Sequence, residues 1–190
     1  MKNFIFFILL SGASLNALAM TVADAQFAEH LAANKHHPEL KLNGAALREL
    51  YLLVDSYAGA LYLEQLSQDA QQIIHSQQHK RMEFHVLLKK VSARRLSNAL
   101  YEALLLNLTP AEQKSLEKPI AKLMSFFDGQ LYKGSRVVFH YVPQKGTQIL
   151  INDKVVGSVQ GQDLYGALLK MWIGESPVTR EFKQQILGSV

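Results

Sequence analysis

Apolar and charged residues alternate most regularly in the middle of the chain, between Arg81 and Leu88. One side of the extended chain would carry Met82, Phe84, Val86 and Leu88, and the other Arg81, Glu83 and His85. Neighbouring side chains of a strand point to opposite faces, so this spacing predicts a half-buried strand.

Two helices are predicted after this strand. Residues 92–107 place apolar side chains on one helical side, at Leu96, Ala99, Leu100, Ala103 and Leu104. The second helix begins after Thr109, which caps it, with Pro110 in the first turn and Glu112 completing a capping box. We expect it to run to about Phe127 and to end at Gly129.

The remaining segments give an order of strands, helices, strands and helices. Residues 20–39 predict a loose lead-in with a turn of helix, and residues 40–44 a short strand. Residues 47–63 predict one long strand, or two, bending at Gly59 and apolar on both faces. Ser67 is the expected N-cap of a short helix. Further strands are predicted at residues 136–142, 147–152 and 155–159, and helices at 163–172 and 179–187. Without regular β-α-β alternation, this order predicts an α+β domain over residues 40–190, with a largely antiparallel sheet.

The N-terminus predicts a cleaved signal peptide. Lys2 precedes a short apolar run at residues 4–10, and Ala17-Leu18-Ala19 has the small-x-small pattern of a cleavage site. We therefore expect residues 1–19 to be removed, with a second candidate site after Ala25, and a periplasmic or secreted protein. A membrane anchor or a buried N-terminal helix is the alternative, but spanning a bilayer takes about 20 apolar residues. The expectation is no membrane span after cleavage.

Composition excludes several kinds of chemistry. The chain has no cysteine, which rules out disulfides, a lipid-modified cysteine and a thiol nucleophile. Its net charge of +4 is spread out, and the densest basic cluster, at residues 89–95, is too small for a nucleic-acid surface. The His36-His37 pair and the helical spacing of His75 and His79 lack a third ligand, so no metal site is predicted. No nucleotide-binding or nucleophile-elbow motif is present, so no cofactor is expected.

The remaining polar groups stand in an apolar segment, at Arg48, Ser56, Tyr57 and Tyr62. A guanidinium there can bind a carboxylate or phenolate through two parallel hydrogen bonds, and a tyrosine hydroxyl can donate to the same anion. The alternative is that Arg48 pairs with Glu49 or Glu64 at the surface while the tyrosines fill the core.

Three segments of the chain resemble the chalcone isomerase-like family, in its bacterial exported branch. They are Leu42-Asn43-Gly44 with Leu47-Arg48, the run from Tyr57 to Glu64, and Ser176-Pro177-Val178-Thr179-Arg180. The order of turns, Trp172, Pro177 and the final Leu187-Gly188 is also similar. The resemblance covers roughly residues 40–188 and implies an antiparallel sheet layered with helices.

The resemblance also implies roles for single residues. Arg48 matches the arginine that contacts the substrate's developing enolate, and Tyr57 stands where the plant isomerases carry a threonine. Thr179 matches a pocket-lining threonine, and it could equally be a helix N-cap. Leu96 and Ala103 occupy the best matches to a tyrosine and an asparagine of the plant site, so two of its polar groups are missing.

These departures favour a non-catalytic protein that binds an apolar ligand with an anionic head, as the fatty-acid-binding members of the family imply. Arg48 would hold the head, Tyr57 would support it, and Thr179 would line the pocket. Core or pocket wall would come from Leu52, Phe84, Leu100 and Trp172. Two alternatives stay open: an isomerase acting on a phenolic enone, and a periplasmic structural or partner-binding module.

Overall fold

Seven antiparallel strands form the main sheet of the computed structural model, which describes residues 19–35, 37–50 and 54–188. In chain order the strands are β1 (Ala19–Val22), β2 (Ala25–Ala28), β3 (His30–Leu31), β4 (Leu40–Leu50), β5 (Val54–Leu63), β6 (Lys80–Val86), β7 (Lys90–Ser92), β8 (Gln130–Tyr132), β9 (Arg136–Val142), β10 (Gly146–Ile151) and β11 (Lys154–Val159). The helices are α1 (Ala70–His75), α2 (Ala93–Leu106), α3 (Pro110–Met124), α4 (Asp163–Ile173) and α5 (Arg180–Ile186).

The strand order in the main sheet is β11-β10-β9-β6-β5-β4-β3, and each described pairing is antiparallel. Two small antiparallel sheets, β1-β2 and β7-β8, lie beside it. The prediction of an α+β fold with a largely antiparallel sheet is confirmed.

The sheet has a different core on each face. The inner face packs against the helices, and α4 contributes its Leu, Met and Trp side chains to this larger core. The outer face is covered by the β1-β2 hairpin, whose Ala25 and Phe27 pack with Ala58, Ala60 and Tyr62 of β5. β5 is therefore buried on both faces, as its doubly apolar sequence predicts.

Local signals placed several elements correctly. β6 has the alternation described above, and Ser92 caps α2 by accepting a hydrogen bond from the Arg95 amide. The Thr109 hydroxyl and the Glu112 carboxylate form the predicted capping box of α3. That helix ends at Met124, one turn earlier than expected.

Three local predictions were wrong. The described residues of 20–39 contain strands and no helical turn, because Ala25 and Phe27 are buried against the outer face. The long apolar segment belongs to two antiparallel strands, β4 and β5, as one alternative allowed, but the predicted bend at Gly59 is wrong, because Gly59 is an interior residue of β5. The short helix α1 is capped by Asp69, whose carboxylate accepts two backbone hydrogen bonds, while Ser67 lies outside the helix.

Candidate ligand-binding site

A cavity of about 880 Å³ lies between the inner face of the sheet and the helices α2 and α4. The sheet supplies Phe84, Val86, Val137 and Phe139, and the helices supply Leu96, Ala99, Leu100, Ala103, Met171 and Trp172. This volume is in the range of ligand pockets, about 300–1,000 Å³. The lining is predominantly apolar, which suits the hydrocarbon part of a ligand.

Arg48 lies at this cavity and directly opposite Tyr57 in the β4-β5 ladder. The register of the ladder shifts after Arg48, so a bulge follows it. Its guanidinium donates to the backbone carbonyl of Glu49, and it forms no ion pair with a carboxylate of the described residues. The surface pairing with Glu49 or Glu64 that the sequence left open is not formed. A half-buried guanidinium with remaining donors is thus available at the cavity wall.

Tyr57 is held in place by aromatic packing and one hydrogen bond. Trp172 donates from Nε1 to the Tyr57 hydroxyl oxygen at 3.2 Å, and the Phe84 ring meets the Tyr57 ring edge-on at 5.1 Å. Burial raises the pKa of Tyr57 to about 12, although the hydrogen bond from Trp172 and the charge of Arg48 act in the opposite direction. The phenol therefore stays protonated near neutral pH, and its O–H can donate to an anion beside Arg48.

The other predicted site residues have different positions. Thr179 is the N-cap of α5, where its hydroxyl accepts from the Phe182 amide at 3.0 Å, and its neighbour Val178 lines the cavity. Tyr62 lies on the outer face, because it is an odd number of residues from Tyr57 along one strand. Phe84, Leu100 and Trp172 all line the cavity, whereas Leu52 lies outside the described residues.

Sequence analysis missed the cavity-lining residues Lys90, Arg95 and Gln130. They come together because β7 pairs with β8, so that Ser92 lies opposite Gln130. Both strands have only three residues, which is too short for a periodic signal. The signal that could have indicated them is the basic cluster itself, which directly precedes the apolar side of α2.

Among the described residues, the charged side chains of the cavity wall are all cationic. Its charged lining residues are Arg48, Lys90 and Arg95, and no Asp, Glu or His of the described residues lines it. Leu96 and Ala103 both line it, so the wall of α2 presents no hydrogen-bonding side chain at these two positions. The charge of these three cations attracts negative charge to the described part of the wall.

A second, smaller cleft of about 390 Å³ has a polar lining around Lys80. The Lys80 ammonium donates to the carbonyls of Ile73, Ile74 and Ser76, which lie at the end of α1. Burial lowers the pKa of Lys80 to about 8. All three donors of the ammonium are used by backbone oxygens, so Lys80 is a structural cap of the helix end.

The histidines do not form a metal site among the residues that the structure describes. His75 ends α1 and His79 follows in a loop, so the two do not share a helical face. His79 lies instead beside His140, with Nδ1 and Nε2 3.3 Å apart. No group of three His, Asp or Glu side chains in the described ranges is arranged to hold a metal ion. His36 lies outside these ranges.

Comparison with known proteins shows the family to which this chain belongs. A family model described as chalcone isomerase-like matches residues 19–188. The chain belongs to the chalcone isomerase-like family. The crystal structure of a fatty-acid binding protein of Arabidopsis thaliana superposes with a TM-score of 0.73 at 16% sequence identity, covering 90% of this chain and 97% of that one. At this identity the superposition shows a shared chalcone isomerase-like fold. Comparison with curated proteins finds none whose sequence matches this chain.

No helix within the described residues combines the length and the apolar character needed to cross a membrane. The predicted signal peptide, at residues 1–19, lies outside the described residues except for Ala19.

Proposed function

We propose that this protein binds an apolar ligand with an anionic head, such as a fatty acid, and does not catalyse a reaction. The observation that carries the proposal is the apolar cavity of about 880 Å³, which has Arg48 beside the protonated hydroxyl of Tyr57 and no described acidic residue in its wall. The hydrocarbon chain would gain from leaving water in proportion to the apolar area it buries.

The anionic head would be held at the β4-β5 end of the cavity. Arg48 can offer a planar pair of donors to a carboxylate, which an ammonium cannot reproduce. Tyr57 adds a neutral donor whose position is fixed by Trp172. Because neither Asp nor Glu lines the cavity among the described residues, the head group has no acidic competitor for Arg48 there.

Catalysis of an enone isomerisation is the alternative, and the wall of α2 argues against it. Such a reaction needs donors arranged around the developing enolate, and losing one of them typically costs about 2.7–4 kcal/mol of transition-state stabilisation. Leu96 and Ala103 cannot donate, and a phenol with a pKa of about 12 is a poor proton carrier near pH 7. We expect chalcone cyclisation at the uncatalysed rate. The shared fold with a fatty-acid binding protein supports the same conclusion.

The experiment is a titration of the purified, delipidated protein with a fluorescent long-chain fatty acid. Arg48→Ala should weaken binding by roughly 2–5 kcal/mol, since the carboxylate would be left without its cation. Arg48→Lys should also weaken it, and Tyr57→Phe should cost about 1 kcal/mol for one neutral hydrogen bond. The corresponding fatty alcohol should bind the wild type and Arg48→Ala equally, because it has no charge for Arg48 to hold.

Two control variants separate ligand binding from folding. Arg180→Ala removes an exposed arginine outside the cavity lining and should leave the affinity unchanged. Thr179→Ala should lower stability by about 1 kcal/mol through loss of the cap, again at unchanged affinity. Equal affinities in wild type and Arg48→Ala, or chalcone turnover that Arg48→Ala abolishes, would overturn the proposal. Absence of ligand binding would favour a partner-binding module.

We also propose that the protein is exported after cleavage following Ala19. Cleavage there would leave β1 nearly whole, whereas cleavage following Ala25 would remove β1 and leave β2 without its partner. The family match beginning at residue 19 supports the same boundary. N-terminal sequencing of the protein from its native cells should return Met20. Gln26 would indicate the second site, and an intact Met1 would refute export by this route.

A further inference from the structure

Four exposed cations lie within seven consecutive residues, at Lys89, Lys90, Arg94 and Arg95, and we call them the basic rim. Within the described part of the chain, none of the four forms an ion pair with an acidic side chain. The nearest acidic residue that follows in sequence is Glu102, more than a turn of α2 beyond Arg95. The rim is thus a concentrated positive charge that the molecule does not neutralise by ion pairing.

The basic rim is not explained by helix stability. Arg94 and Arg95 stand in the first turn of α2, where the helix end already carries partial positive charge and acidic residues are favoured. The helices α3, α4 and α5 follow this preference, with Glu112, Asp163 and Glu181 in their first turns. In α2 the preference is reversed, so these cations oppose the folding of their own helix.

Half of the basic rim, Lys90 and Arg95, lines the cavity. The exposed members of the cavity lining mark where it opens, and they include Lys90, Arg95 and Gln130. Tyr132 lies opposite Lys90 in the β7-β8 pair, with 53% of its surface exposed and its ring 5.9 Å from the Lys90 ammonium. A tyrosine with exposed ring and hydroxyl, next to cations, is typical of surfaces that lie at the headgroup level of a bilayer.

We propose that the basic rim docks on the surface of an anionic lipid bilayer, with the cavity mouth facing the headgroups. Clustered lysine and arginine side chains are attracted to anionic headgroups, and Tyr132 would enter the interfacial layer. A ligand could then pass between bilayer and cavity without crossing bulk water. The docking rests on the rim alone, whereas the transfer of a ligand rests on the proposed function.

The charge pattern favours a bilayer over other anionic partners. The rim is too small for the extended backbone contacts of a nucleic acid. Two of its members, Lys90 and Arg95, also border an apolar cavity, which an acidic protein surface would leave unmatched. A bilayer offers both the anionic layer for the cations and the apolar layer that a hydrocarbon ligand must enter or leave.

The test measures binding of the purified protein to phosphatidylcholine vesicles with and without 30% phosphatidylglycerol, on the order of the anionic content that such surfaces need. Binding should require phosphatidylglycerol and weaken as salt is raised. The double variant Lys89→Gln with Arg94→Gln removes two rim charges that do not line the cavity. We expect the affinity of this variant for the vesicles to fall about 25-fold, since each cation near an anionic surface contributes a factor of about five. The control, Lys114→Gln with Lys118→Gln on the exposed side of α3, should bind as the wild type does.

Stability and ligand transfer give independent readouts. The rim double variant should melt at the same temperature as the wild type or higher, because charge opposed to the helix end is removed, and its fatty-acid affinity should be unchanged. Transfer of a fluorescent fatty acid to vesicles should accelerate with vesicle concentration in the wild type and much less in the double variant. Vesicle binding without fatty-acid binding would keep the docking and refute the proposed function.

Three results would overturn the docking itself. The first is equal vesicle binding by the rim and control variants. The second is vesicle binding of the same strength with and without phosphatidylglycerol. The third is binding to a soluble polyanion such as heparin and no binding to vesicles.

Discussion

The two faces of strand β6 are built from one alternating sequence and have opposite properties. On the inner face, Phe84 and Val86 border an open cavity. On the outer face, Glu83 and its neighbours are sealed under the β1-β2 hairpin, where the Phe27 and His85 rings lie 4.7 Å apart. The outer face is polar yet closed, and the inner face is apolar yet open.

The difference lies in where the small residues stand on each face. On the outer face the strands carry Ala45, Ala58 and Ala60, so the hairpin can approach closely and leave no gap. On the inner face the small residues Ala99 and Ala103 are on α2, where they line the cavity. The inner face therefore borders an apolar cavity, whereas the outer face is packed against the hairpin.

The largest expected effect comes from breaking the charge network of the outer face. Glu83 accepts hydrogen bonds from Arg81 at 2.8 Å and His85 at 2.9 Å, and Arg136 lies 3.8 Å away. Glu83→Gln would leave the largely buried Arg81 guanidinium without its anion, at a cost of roughly 3–5 kcal/mol of the free energy of unfolding. Denaturant unfolding should show this loss, while Glu117→Gln on the surface of α3 should change stability little. A loss as small as that of the control would mean that the network is not a stabilising unit.

The same network predicts sensitivity to acid. Burial alone would raise the pKa of Glu83, but the hydrogen bond from His85 and the charge of Arg81 outweigh it and hold the pKa at about 2, against an ordinary 4.5. A carboxyl group with a lowered folded-state pKa contributes stability above its unfolded pKa and loses it as pH falls toward the folded value. The wild type should therefore lose stability between about pH 4.5 and 2. The free energy of unfolding should fall less steeply with decreasing pH in Glu83→Gln than in the wild type. Equal slopes would mean that Glu83 is not the group responsible.

A smaller effect should separate the packing of the two faces. Ala60→Leu adds the same atoms to the closed outer face as Ala103→Leu adds to the cavity. Ala60→Leu should lower the free energy of unfolding by about 1–3 kcal/mol, because the added atoms overpack the closed face. The second should change stability by no more than about 0.5 kcal/mol, because its side chain has room. It should also weaken binding of long-chain more than of short-chain fatty acids. Equal destabilisation by both would mean that the cavity is closed in solution.

Residues with local reasons for their structure were predictable from the sequence. The period of two in β6 and the capping box of Thr109 and Glu112 each depend on a few neighbouring residues. The β1-β2 hairpin could not be foreseen, since its strand structure depends on Phe27 meeting the outer face of distant strands. The bend predicted at Gly59 was wrong for a similar reason, because a distant residue explains the glycine. It accommodates Phe182, whose ring would lie 2.8 Å from an added Cβ, and no turn is needed there.

The candidate site was predictable only in part. Arg48 and Tyr57 are near each other in sequence, and the family resemblance selected them. Trp172, which fixes the Tyr57 hydroxyl, lies 115 positions further along the chain. Lys90 and Arg95 join the lining through the short β7-β8 pair. These contacts depend on tertiary packing, which periodicity and capping do not encode.

The smallest expected effect reports on the inner face through the chain's single tryptophan. Trp172 is 4% exposed, lines the cavity and lies 4.8 Å from the Phe84 ring. A fatty acid brominated in the middle of its chain should quench Trp172 emission on binding, because heavy-atom quenching requires near contact. Trp172→Phe should weaken binding only slightly, by about 1 kcal/mol or less, because the Tyr57 hydroxyl loses one hydrogen bond and stays in place through ring packing.

The unbrominated fatty acid is the matched control for this experiment and should leave the emission intensity nearly unchanged. Moving the bromine along the chain then maps the orientation of the ligand. A carboxylate at Arg48 places the first carbons nearest to Tyr57 and Trp172, so quenching should be strongest for bromine near the head and should decline toward the tail. A profile that rises toward the tail would place the head at Lys90 and Arg95 instead, and quenching that is independent of bromine would place the ligand outside the cavity.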